Sequence, residues 1–190
     1  SFPTRRSSDL ELIAAGKIRH IALSNESVWG ASRWLALADT HGLPRMATVQ
    51  NEYSLLCRQF DSDWAELSVL EDMPLLAFSP LATGLLTGKY AGDVIPEGTR
   101  RAINPTLSGR ITPQVFPAVA AYLGIAAEAG LDPVQMAIAF CSARPFPCVP
   151  IIGATDLGQL KRALGAADLV LSDDVLAAID AAHRAHPMPY

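Results

Sequence analysis

Aromatic residues (7%) and charged residues (18%) are both sparse in this chain of 190 residues. No apolar run approaches the roughly 18 residues that a membrane-crossing helix needs, so no membrane partner is expected. The three cysteines, Cys57, Cys141 and Cys148, form no CxxC pair, which argues against a thiol redox centre or a zinc ribbon. Reduced, buried thiols in a cytosolic protein are the expectation. The four histidines lack HExxH and HxH spacing, so no metal site is expected. GxGxxG and the Walker pattern are absent, so any nucleotide would be held without a Rossmann or P-loop turn. The net charge of -4 offers no basic surface for nucleic acid or an anionic membrane. The arginines near the amino terminus are not followed by the apolar core of a signal peptide, so export is not expected either.

What is present is a half-apolar chain (50%) whose short strand-like runs alternate with helix-like stretches. Strands are expected at residues 17–24, 46–50, 74–79 and 148–153. The first follows a short helical stretch closed by Gly16. Ser27 is a plausible cap for the helix ending at Gly42, and acids open the next helix at residues 61–73. Asp132 followed by Pro133 is a cap with proline at the first helical position. Ser172, with two acids behind it, opens the last helix. Between Gly84 and Thr112 the alternation stalls in glycine, proline and arginine, which reads as a long functional loop. Short apolar strands separated by helices fit a parallel sheet, either doubly wound or part of a (β/α)8 barrel. Periodicity leaves both open.

Polar residues gather where the strands end. Ser24 and Asn25 close the first, Gln50, Asn51 and Glu52 the second, Phe78 and Ser79 the third, Gly153 and Thr155 the fourth. In parallel α/β folds these ends share one rim, where ligands bind. The bland reading is that serine, asparagine and threonine cap the following helices. Functionally, Asn25 and Gln50 offer paired donors and acceptors suited to a carboxamide or a sugar. Phe78 offers a flat face for a ring. The turn SPLATG, residues 79–84, offers backbone N–H groups to a phosphate. Lys89, Arg100 and Arg101 either close over anionic oxygens or are a solvated loop; charge alone does not separate the two.

The blocks GKIRHIALSN, VQNEYSLL, AFSPLATGLLTGKY, QMAIAF and IIGATDLGQLKRAL, in that order, resemble the second half of an aldo-keto reductase. The nearest subgroup is the bacterial reductases related to potassium-channel β subunits. The resemblance runs from about Leu10 to the terminal HPMPY. It implies an α/β fold, the carboxyl-terminal half of a (β/α)8 TIM barrel, with NADP(H) extended over the strand ends. It further implies that Ser24, Asn25 and Gln50 hold the nicotinamide carboxamide and that Phe78, where the family often has Tyr or Trp, stacks on the ring. Ser79, Leu81 and Thr83 resemble the pyrophosphate turn, with Lys89 and Arg100 gripping phosphate from the loop. Gly153, Thr155 and Gln159 resemble the group around the adenosine 2′-phosphate. Arg162 and Ala163 depart from the family's usual adenine contacts, and Arg162 is a candidate cation near the 2′-phosphate.

The family's hydride transfer uses an Asp, a Tyr, a Lys and a His from the first half of the barrel, and none can be matched here. Tyr53 and His20 read as packing and strand residues, so no catalytic residue is assigned. The opening SFPTRRSSDL does not resemble the helix leading into the family's fifth strand. It reads as a non-native or disordered segment over residues 1–9, ahead of a partial barrel domain over 10–190. The alternative is a genuine tail in which Ser8 and Glu11 form a capping box. Three functions are carried forward: the cofactor-binding half of an NADP(H)-dependent reductase of small aldehydes and ketones, a nicotinamide-sensing channel-subunit-like module, and an inactive truncated product. Open barrel edges further suggest self-association.

Overall fold

The computed structural model describes residues 4–190. Four parallel strands, β1 (Leu23–Ser24), β2 (Val49–Glu52), β3 (Leu75–Phe78) and β4 (Cys148–Pro150), form one sheet in the order β1-β2-β3-β4. That order resolves the ambiguity left by periodicity. A doubly wound sheet reverses direction at a switch point, whereas here every connection steps to the next neighbour on the same side. Right-handed crossovers repeated in one direction put every connecting helix on one face, as in a barrel wall.

The register shows which face is which. Val49, Leu75 and Ala77 are fully buried and Leu23 nearly so, all turned toward the helices. Ser24, Gln50, Leu76 and Val149 lie side by side on the other face, followed by Glu52 beside Phe78. Val149 is 54% exposed and Ile151, two residues on, is 41% exposed. This is the face a closed barrel turns inward.

The strands are shorter than expected. Residues 17–22 are β-prone but lie outside β1, so His20 precedes the strand and is exposed rather than being a strand histidine. A parallel ladder exists only where a neighbour supplies partners, and β1 is an edge strand paired on one side alone. β2 runs on to Glu52, two residues past the expected end.

At the amino terminus, α1 runs over Thr4–Ala14. Residues 1–3 of the segment expected to be non-native or disordered lie outside the described residues, and its remainder is helical. Ser8 is inside that helix, so the S-x-x-E pair is not its capping box. Gly16 follows with φ 69°, the left-handed turn that stops a helix. The caps inferred elsewhere are present. Ser27 Oγ accepts from the Gly30 N–H at 3.0 Å ahead of α2 (Val28–His41). After a short 3₁₀ turn (Gln59–Asp61), α3 covers Asp63–Leu70 with Asp63 and Glu66 in its first turn. The long connection after β3 is built from tight turns and one short helix, α4 (Arg100–Ile103). It leads to α5 (Val115–Glu128) and then to α6 (Pro133–Ser142), where Asp132 accepts from the Val134 and Gln135 N–H groups. Beyond β4 come α7 (Leu157–Leu164), capped by Asp156, and α8 (Asp173–Ala185), capped by Ser172. Among the described residues no single helix is long and apolar enough to cross a membrane.

Behind the sheet sits an aromatic cluster, with Tyr53 stacked 6.0 Å from Phe140 and Phe60 5.3 Å from Trp64. Asp61 lies at its margin and accepts from Arg58 (2.6 Å), Arg144 (3.2 Å) and the Tyr53 hydroxyl (2.5 Å). Arg58 also reaches Asp180 of α8 at 2.8 Å, so one ionic group ties the segment after β2 to the last helix. All three cysteines are free thiols. Burial pushes the Cys57 and Cys148 thiols up to about 11 and 12, which keeps them protonated and unreactive.

Candidate cofactor cleft at the strand tips

The segment after β3 is the most contorted stretch of backbone in the chain. Ser79 (φ 55°), Ala82 (φ 47°) and Thr83 (φ 56°) all adopt the left-handed region, followed by Gly84 at φ 100°. Side-chain-bearing residues avoid this region, and clusters of such strain mark functional sites. Short bonds hold the turn: the Ala82 N–H donates to Ser79 O at 2.7 Å and the Gly84 N–H to Leu81 O at 2.9 Å. Right-handed Leu81 (φ −98°, ψ 12°) followed by left-handed Ala82 is the alternation that builds an anion-binding nest of N–H groups. The φ of Gly84 is what calls for glycine; a Cβ there would come within 2.9 Å only of Lys89 Cε, a flexible side-chain end that can shift.

A cleft of about 780 Å³ opens between this turn and the loop after β4. The turn contributes Ser79, Leu81, Thr83 and Gly84, and the long connection adds Lys89 and Arg100. Gly153, Thr155 and Gln159 come from the β4 side, together with Arg162 of α7. Eight of the twelve residues expected to bind cofactor thus share one cavity. Its lining holds three cations and no carboxylate. Lys89 and Arg100 are exposed and form no ion pair among the described residues, and Lys89 rests 5.1 Å over the Tyr90 ring. Arg162 is held by Asp132 at 2.6 Å, and Thr155 and Gln159 bond each other through Gln159 Oε1. Burial raises the Asp132 carboxyl, but Arg162 and the two capping amides outweigh it, leaving Asp132 below the ordinary carboxylate range. Lys89 and Arg100 are the groups here best able to meet phosphate oxygens, whereas the Thr155 hydroxyl donates to Gln159 Oε1 and Gln159 Nε2 donates to Asp156 at 2.7 Å.

The other four expected residues are not in that cavity's lining and stand on or just after β1, β2 and β3. The Asn25 N–H donates to Gln50 O at 3.0 Å, and Asn25 Nδ2 lies 3.2 Å from Ser24 Oγ, so Ser24, Asn25 and Gln50 are neighbours. Phe78 is half-buried on the same sheet face as Gln50. All the strands are parallel, so both groups stand at one rim of the sheet. Arg101 departs from its expected role. It is 4% exposed and points into the long connection, reaching Val94 O at 3.0 Å and Asp93, with its guanidinium 5.3 Å from the Phe116 ring. Adjacent helical residues point about 100° apart, so Arg100 and Arg101 of α4 cannot both face the cleft.

Tyr53 is fully buried, and its hydroxyl is bonded to Asp61. Burial and then the Asp61 charge drive its pKa far above the ordinary value, the reverse of what a proton donor to a carbonyl needs. Three residues that sequence reading did not join also meet at the rim. Glu52, at the tip of β2, pairs with Arg110 and with Tyr190 at the end of the chain. Glu52 was expected among the polar residues closing the second strand; its partners, 58 and 138 residues away, were not.

Comparison with known proteins accords with this geometry. A model of the aldo/keto reductase family matches residues 10–184. The chain is 47% identical over 175 residues to Protein tas of Escherichia coli, covering 92% of this chain and 51% of that protein. It is 32% identical over 173 residues to a probable voltage-gated potassium channel subunit beta of Oryza sativa, covering 84% of this chain and 53% of the relative. Among solved structures, a glycerol dehydrogenase of Gluconobacter oxydans superposes with a TM-score of 0.73 at 23% identity, over 94% of this chain and 53% of that one. The four-stranded parallel sheet with helices on one face is therefore part of a (β/α)8 barrel architecture. The chain belongs to the aldo/keto reductase family and spans about half the length of the curated relatives it matches.

Proposed function

We propose that this chain is the dinucleotide-holding part of an NADP(H)-dependent oxidoreductase that interconverts small aldehydes or ketones and alcohols. The observation that carries the reading is the cleft beside β3 and β4, whose lining has three cations and no carboxylate. When bound, the nicotinamide supplies the hydride. The chain's own residues bind and orient. The nest at residues 79–84 with Lys89 and Arg100 takes the pyrophosphate, and Thr155, Gln159 and Arg162 take the adenosine 2′-phosphate. Ser24, Asn25 and Gln50 fix the carboxamide, and Phe78 backs the ring, limiting the nicotinamide to one orientation. No described residue is assigned to proton transfer. The bare sheet face with Val149 and Ile151, and the free edges of β1 and β4, carry self-association of the isolated chain, readable as a concentration-dependent mass in sedimentation.

Arg100→Ala tests the reading. Loss of a charge-assisted hydrogen bond is worth about 1.5–3 kcal/mol, so NADPH and NADH, which share the pyrophosphate, should both bind on the order of ten- to a hundredfold more weakly. Unchanged binding, or a loss confined to NADPH, would remove Arg100 from the pyrophosphate. A second reading, a module that senses nicotinamide without turning over substrate, is favoured by the 32% identity to a probable voltage-gated potassium channel subunit beta. Oxidation of NADPH by a simple aldehyde, measured with this chain joined to the rest of the barrel, separates the two: steady turnover supports the reductase, and binding without turnover supports the sensor.

A further inference from the structure

The long connection enters the rim beside the cleft and leaves it beside Glu52. Its first part carries Lys89 and Arg100, and its last part carries Arg110. Arg110 grips Glu52 with two parallel bonds, Nε to Oε1 at 2.9 Å and Nη2 to Oε2 at 2.6 Å. Its third nitrogen, Nη1, donates to Leu107 O at 3.0 Å, and Leu107 is itself buried in the core. The carboxyl-terminal tail docks on the same carboxylate. The Tyr190 hydroxyl donates to Glu52 Oε1 at 3.1 Å, and the Arg110 guanidinium lies 5.6 Å from the Tyr190 ring. One turn away the Thr112 hydroxyl donates to the Pro189 carbonyl, joining loop and tail directly. The Arg110 and Glu52 side chains are only 13% and 20% exposed, so this contact is far less screened than a surface ion pair.

We propose that Glu52 is a positioning residue. It latches residues 84–112 and the tail at 186–190 onto the tip of β2, and so holds Lys89 and Arg100 over the cleft before any ligand arrives. The role in cofactor retention rests on the dinucleotide reading above; the latch itself does not. Glu52 pairs in register with Phe78, so the latch stands beside the ring platform as well. The Arg101 contacts stiffen the middle of the connection, so fixing its far end constrains the cations in between. Such preorganisation lowers the ordering cost of binding and slows ligand escape.

The experiment is amide hydrogen exchange on the full chain and on Glu52→Gln, Arg110→Ala, their double variant, and Tyr190→Phe. The single changes Glu52→Gln and Arg110→Ala should speed exchange in residues 84–112 and 186–190 together, by about tenfold, the scale of one charged hydrogen bond. The double variant should add little to either, as expected of two halves of one contact. Tyr190→Phe, which removes a single hydroxyl and cannot unfold the barrel wall, should raise exchange in both segments by a smaller factor. Unchanged exchange, a rise in one segment only, or additive effects would overturn the latch. NADPH dissociation from Glu52→Gln should quicken several-fold while the association rate holds. If the unaltered chain binds no NADPH, the dinucleotide reading falls while the exchange result still decides the latch. If it binds and Glu52→Gln releases it at the original rate, the positioning role falls and the dinucleotide reading stands.

Discussion

Behind the sheet, Arg58 and Arg144 share Asp61, and Arg58 also meets Asp180; at the strand tips, Lys89 and Arg100 have no carboxylate partner among the described residues. The same residue types thus serve opposite ends. A matched, half-sequestered group welds the segment after β2 to α8, and nearly all of its charge is spent within the protein. The cleft keeps its positive charge for something else. Arg162 lies between the two cases, paired with Asp132 yet 41% exposed at the cleft wall. Where cations are left unmatched beside strained backbone, a ligand is the natural counter-charge.

The largest test of this contrast is Asp61→Asn. It leaves Arg144 without its carboxylate and strips Arg58 of one of two, and breaking such a buried group costs about 3–5 kcal/mol. For a chain of this size that is a fall in melting temperature on the order of 10 °C. A loss no greater than that of a surface pair would show the group to be solvated. Next comes Lys89→Ala, which should leave the melting temperature within a degree or two and weaken NADPH and NADH alike, with the loss shrinking as salt is added. A lysine whose removal destabilises the fold without touching binding would belong to the first region rather than the second.

The smallest effect is a pH dependence. Burial, then the Arg58 charge, holds the His183 imidazole below its ordinary 6.5, while Asp61 and Asp180 act weakly the other way. The unfolded chain therefore takes up the proton first as pH falls. The contribution of neutral His183 to stability is complete above about 6.5 and is lost as pH drops through the lowered folded value. His183→Gln should flatten stability across that interval, as read from denaturant midpoints at several pH values. An unchanged slope would show that His183 does not sense the Arg58 group.

Much of this was legible in the sequence, and the parts that were not have physical reasons. Ser27, Asp132, Pro133 and Ser172 announced their helices because capping is local chemistry over three or four residues. The strand-tip residues were legible because strand alternation and parallel direction fix which ends share a rim. Strand lengths were not, since a ladder depends on neighbours far along the chain, and β1 at the sheet edge retains only two residues of an eight-residue expectation. Arg100 and Arg101 were indistinguishable by charge; only the short α4 turned one outward and buried the other. The Glu52–Arg110–Tyr190 group was hidden for the simplest reason, since its members are adjacent only after folding.

The central claim is that the cleft of residues 79–84, Lys89, Arg100 and 153–162 is built for the phosphates of an adenine dinucleotide. Titration of the isotopically labelled chain with 2′,5′-ADP, followed by amide resonances, tests it most directly. The account predicts saturable shifts concentrated at residues 79–84, 98–100 and 153–162, with the helix-side residues around Asp61 and Asp180 silent. Shifts scattered over the surface, or confined to the face bearing Val149 and Ile151, would contradict it.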